Sequence, residues 1–156
     1  MRLRRALVAT LVIVTVGSAA RSRSERALVG TGPAASFDGR TPFPAAVTST
    51  LRRACFDCHS DETRWPWYAT LPFASPLIER DVKNGRGQLN LSRWMGYNAF
   101  DRADMLDKMC QLASSGRMPP WKYRLMHPDA RLSATEVVTF CAWSQYEANR
   151  LVQGER

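Results

Sequence analysis

A chain of 156 residues with 45% hydrophobic content is one domain's worth with part of its length given to targeting, which argues against several independent domains. It carries 22 Lys+Arg against 14 Asp+Glu, a formal net charge of +8, and such an excess favours an acidic partner or an anionic membrane face. Part of the excess is local, because Arg2, Arg4, Arg5, Arg21, Arg23 and Arg26 bracket the first apolar run. No basic stripe interleaved with aromatics occurs elsewhere, so no nucleic-acid partner is expected.

Met1 to Arg5 form a positive stretch, Ala6 to Val16 an apolar run, and Gly17-Ser18-Ala19-Ala20 a small-residue tail. That order is the pattern of a secretory signal peptide over residues 1–20. An uncleaved membrane anchor is the second reading, because about 20 apolar residues span a bilayer comfortably and this run is shorter. Either way the rest of the chain is expected in the periplasm or on the outer face of a bacterial inner membrane. Residues 21–43 are rich in Arg, Ser, Gly and Pro without periodicity and read as a linker. The domain is expected over residues 44–153.

Val47, Leu51, Ala54, Cys55 and Cys58 recur at helical spacing, with Pro44 near the start where a missing N–H costs nothing. The pattern predicts one amphipathic helix ending in Cys55-Phe56-Asp57-Cys58-His59-Ser60. Two cysteines two residues apart, with histidine directly after the second, form the c-type haem attachment pattern. On one helical turn both thiols face the same way, so they can reach the two vinyl groups on one porphyrin edge, and His59 can bind iron beneath the ring. Three other readings compete. A thioredoxin-like redox pair needs a βαβ context that the sequence does not offer. A zinc site needs four ligands, and the remaining Cys110, Cys141 and His127 match no common zinc spacing. A chance CxxC beside a surface histidine is the third.

Trp65-Pro66-Trp67-Tyr68 cannot form a regular helix and makes a poor strand. It is read either as a rigid loop against a macrocycle, with Trp or Tyr polar groups reaching propionates, or as a surface loop tucked onto the core. Ser75-Pro76 predicts a helix start, with Leu77, Ile78 and Val82 as its apolar face and Gly85 as its end. Ser92 is expected to cap a short turn holding Trp94. From about Asp101 a helix carries Met105, Leu106, Met109, Cys110, Leu112 and Ala113 and stops at Gly116, with both methionines as core filling.

Gly116-Arg117-Met118-Pro119-Pro120 predicts a stiff, extended loop that begins with a thioether, a soft neutral ligand suited to haem iron. An ordinary apolar loop contact is the plainer alternative. Ser133 and Glu136 form a capping box opening a last helix that carries Val137, Phe140, Cys141, Ser144, Ala148 and Leu151. A Met-Pro loop, a spacer and a capped terminal helix resemble the distal half of small class I cytochromes c, and that resemblance favours Met118 as sixth ligand. An open iron ranks second. His127, followed by Pro128 in a turn, ranks third. In an exported protein the two leftover cysteines, Cys110 and Cys141, suggest a disulfide closing a loop that contains Met118, with two buried free thiols as the alternative.

The run Cys55-x-x-Cys58-His59-Ser60, then Glu62-Thr63-Arg64-Trp65-Pro66-Trp67-Tyr68, resembles the haem-binding domain family of small exported bacterial proteins. The resemblance continues through Asp81-Val82, Gly85-Arg86, Leu89-Asn90, Ser92 and Trp94. It resumes at Met118-Pro119-Pro120, Tyr123, His127-Pro128, Ala130, Leu132-Ser133, Glu136 and Cys141-Ala142-Trp143. It covers about residues 45–145 and implies an all-α, cytochrome c-like small bundle wrapped around one covalently bound haem. The expected reading is therefore a monohaem c-type protein for electron transfer, not an enzyme. One haem c would be attached through Cys55 and Cys58, with His59 and Met118 on the iron and a redox partner protein to serve. The alternative is a small-ligand sensor or peroxidase-like enzyme with an open or displaceable sixth position.

Overall fold

The computed structural model describes residues 43–154. The segment expected to be a signal peptide or anchor, residues 1–20, and all but the last residue of the expected linker lie outside them. Six α-helices follow one another among the described residues: α1 (Ala45–Ala54), α2 (Phe56–His59), α3 (Ser75–Gln88), α4 (Ala99–Ser114), α5 (Trp121–Met126) and α6 (Ala134–Gly154). Short 3-10 turns occupy Trp67–Thr70, Leu91–Gly96 and Pro128–Ala130. No strand occurs among the described residues. The fold is all-α, and no described helix is long and apolar enough to cross a membrane.

The core forms where apolar faces of α1, α2, α4 and α6 meet. Leu51, Leu91, Trp94 and Leu106 are almost wholly enclosed. Phe43 lies edge-on to both Trp94 and Trp143, with ring centroids 5.3 and 4.9 Å apart. Edge-to-face rings add attraction beyond their buried area. Phe43, the last residue of the expected linker, is a core residue. Met105 and Met109 pack against this core, as their helical spacing predicts.

Helix α4 and helix α6 form an antiparallel pair joined by Cys110 and Cys141, whose sulfurs are 2.01 Å apart. The disulfide reading therefore holds. Asn98 caps α4 by accepting from the Asp101 N–H, and Gly116 takes φ +67° just beyond its end. That is the left-handed stop glycine tolerates without strain. The capping box of α6 is formed as well: the Ser133 N–H donates to Glu136 and the Glu136 N–H donates to Ser133 Oγ.

Three local expectations are corrected. The helix expected to run unbroken through Cys58 breaks at Cys55 (φ −124°, ψ −33°), and a separate turn carries the motif. Helix α3 does not end at Gly85 but continues to Gln88, and Ser75 donates to Glu79 Oε1 from inside the helix instead of capping it. The turn that holds Trp94 is capped by Asn90, which accepts from the Ser92 N–H, while Ser92 Oγ accepts from the Asp61 N–H.

Candidate haem-binding site

The N–H groups of Cys58 and His59 both donate to the Cys55 carbonyl, at 3.2 and 2.9 Å. This single turn brings Cys55, Cys58 and His59 together on one side. Both cysteines are free thiols. Burial, acting first, pushes the Cys55 thiol up to about 12 and Cys58 to about 11, and each is raised further by a neighbouring negative group. Reactive dithiols need the opposite shift, since the thiolate is the nucleophile. The zinc reading loses its remaining donors too: Cys110 and Cys141 are joined, and His127 is hydrogen-bonded to Tyr68.

His59 is aimed by the backbone. Its Nδ1 lies 3.2 Å from the Leu89 carbonyl, a contact that fixes the tautomer with the proton on Nδ1 and leaves Nε2 as the lone-pair nitrogen. Burial lowers the pKa of the imidazole, so the neutral form is favoured. Helix α3 makes this possible by coming very close. A Cβ placed on Gly85 would lie 2.5 Å from the Cys58 carbonyl oxygen and 3.2 Å from Cys58 Cβ. Gly85 is a close-approach glycine, and it lets the end of α3 present Leu89 to His59. One residue on, Arg86 donates from Nε to the Ser60 carbonyl and from Nη2 to Thr63 Oγ1. The chain leaving the motif is thereby tied to the same helix.

Asp57, between the two cysteines, is buried and receives four donors. Arg64 offers its backbone N–H, Nε and Nη2 at 3.1–3.2 Å, and Tyr123 donates its hydroxyl to Oδ2 at 2.6 Å. Tyr123 belongs to α5 and stacks on His127, with centroids 4.3 Å apart and planes 18° from parallel. His127 Nε2 in turn sits 2.7 Å from Tyr68 Oη. The polar end of Tyr68 is thus satisfied within the protein, while Trp67 of the same aromatic run stands 75% exposed.

Met118 lies in the loop between α4 and α5. Its N–H donates to the Leu112 carbonyl and its side chain is 36% exposed. A groove of about 620 Å³ lies beside α1, around Thr48, Ser49, Arg52, Arg53, Arg64 and Asp129. Its arginines are engaged, Arg52 with Glu62, Arg53 with Glu136 and Arg64 with Asp57.

The donor set fits a covalently held haem. It offers two unpaired thiols on one turn, an oriented neutral imidazole beside them, and a helix packed so closely that a methyl group would collide with Cys58. Of the supporting groups, Leu89 acts through a backbone carbonyl and left no side-chain signal in the sequence. Asp57 and Tyr123 were legible only as residues inside recognisable runs. No curated protein and no solved structure matches the chain. The haem-binding domain family matches residues 10–146, nearly the whole sequence and all of the site, and the chain belongs to that family.

Proposed function

We propose that this haem-binding protein is a monohaem c-type electron carrier, with Cys55 and Cys58 each bonded to the haem edge and His59 Nε2 on the iron. The observation that carries the reading is the Cys55–His59 turn itself: two protonated free thiols beside an imidazole whose Nδ1 is already held by Leu89. The thiols can add across two vinyl groups without any further oxidant. Leu89 orients His59, and Arg86 with Asp61 and Ser92 fixes the exit of the chain. Bound there, haem supplies a one-electron Fe(III)/Fe(II) couple.

Met118 is the sixth ligand in this proposal. A thioether raises the reduction potential relative to histidine alone and leaves no position for substrate, which favours a carrier over an enzyme. The residues expected to serve as signal or anchor support a periplasmic or membrane-facing site of action and a redox partner protein there. One observation favours a second reading. The partial exposure of Met118 suits a displaceable ligand, and displacement would make the protein a small-ligand sensor or a peroxidase-like enzyme.

The oxidised and reduced visible spectra distinguish the two. A weak band at the red edge of the oxidised spectrum, abolished in Met118→Ala and retained in His127→Ala, supports methionine ligation. Rapid, tight binding of carbon monoxide or cyanide to the unmodified protein, without that band, would move the assignment to the sensor or enzyme.

A further inference from the structure

The two chain segments that carry the candidate iron ligands are fastened together by side chains. On the haem-turn side stand Asp57, Arg64 and Tyr68; on the Met118 side stand Tyr123 and His127. Asp57 accepts from Tyr123, Tyr123 stacks on His127, and His127 meets Tyr68, so the linkage closes at both ends. Arg64 neutralises the Asp57 carboxylate and orients it. Helix α5 has no buried residue of its own, and Trp121 and Leu125 on it are 65% and 63% exposed. Its neighbours are anchored separately, Met118 by the Leu112 carbonyl upstream and the Pro128–Ala130 turn by Arg53 bonding to the Asp129 and Arg131 carbonyls downstream. Between those anchors, Tyr123 and His127 tie the segment to Asp57 and Tyr68 on the haem-turn side.

We propose that the Asp57–Tyr123 hydrogen bond, backed by Arg64 and by the Tyr68–His127 pair, is a latch that keeps the Met118 loop closed and thereby keeps Met118 on the iron. This rests on Met118 being the distal ligand. Asp57 suits the task because it sits inside the haem-attachment turn yet, by helical spacing, points away from the Cys55, Cys58 and His59 side. The bond is charge-assisted, and it joins a buried carboxylate to a half-buried hydroxyl, a setting in which one hydroxyl counts for more than at the open surface. Tyr123 is a positioning residue: it acts through Met118 and does not touch the iron.

The test is the rate at which cyanide enters the oxidised holoprotein, measured by stopped flow in four proteins: unmodified, Tyr123→Phe, Met118→Ala and the double variant. Tyr123→Phe removes only the hydroxyl. Losing a hydrogen bond to a charged group should speed cyanide entry at least about tenfold. With Met118 already gone there is nothing left to hold, so Tyr123→Phe should add nothing in the Met118→Ala background. Equal acceleration in both backgrounds would overturn the latch, because Tyr123 would then govern access in general. So would an unchanged rate in Tyr123→Phe when Met118→Ala is fast, and in that case methionine ligation would stand. If Met118→Ala alters neither the rate nor the red-edge band, the ligation reading fails and the latch fails with it. Tyr68→Phe, which loses only the support to His127, should act in the same direction by about threefold and serves if Tyr123→Phe proves unfolded by circular dichroism.

Discussion

Cys55 and Cys58 sit in the haem turn as desolvated thiols whose pKa values lie far above neutral pH. In the haem-free chain they should alkylate slowly with iodoacetamide at pH 8 and speed up only in strong alkali, as ionisation sets in. Fast labelling at pH 7 would instead indicate an activated dithiol and revive the oxidoreductase reading. Gly85 provides the sharper structural test. A methyl group there meets the Cys58 backbone at 2.5 Å, and the main chain cannot yield as a flexible side chain can. Gly85→Ala should therefore cost about 1–3 kcal/mol, read as a lower melting temperature together with poorer haem loading, whereas Gly87→Ala, with open space around it, should do neither. The motif residues were legible because their chemistry dictates their spacing. Gly85 was misread as a helix stop because a glycine needed for close approach and a glycine that ends a helix look alike until the facing chain is known.

Among the elements, the α4 and α6 stripes and the capping box of α6 were readable from apolar spacing and from Ser133 and Glu136. The break at Cys55 was not: the apolar pattern runs smoothly through it, and only the geometry of the haem turn separates α1 from α2. The same limit applied to α5, which has no buried face and hence no periodic signature. The pairing of Cys110 with Cys141 followed from inferred export and leftover thiols, and it closes a loop with a sequence separation of 31 residues. Chain-entropy arguments assign a crosslink of that span about 3–4 kcal/mol. Cys110→Ser with Cys141→Ser should lower unfolding stability by roughly that amount in denaturant titration of the holoprotein, with the visible spectrum of the folded state retained. An unchanged denaturation midpoint would show that packing of α4 on α6 holds the pair without the bond.

For the whole molecule, the all-α fold and the haem-binding family were both legible in the sequence. What it did not contain was how the two halves of the site are joined. That joining depends on Asp57 with Tyr123, 66 residues apart, on Tyr68 with His127, 59 apart, and on a backbone carbonyl at Leu89. Long-range hydrogen bonds of this kind leave no local periodicity to read. The central claim is the covalent attachment at Cys55 and Cys58, and it is tested most directly by the intact mass of the exported protein after acid-acetone extraction and full denaturation. The account predicts a polypeptide heavier by one haem, with the haem remaining attached, and loss of that added mass when both cysteines are changed to alanine. A denatured protein at the bare polypeptide mass, with its haem released into the acetone, would contradict it.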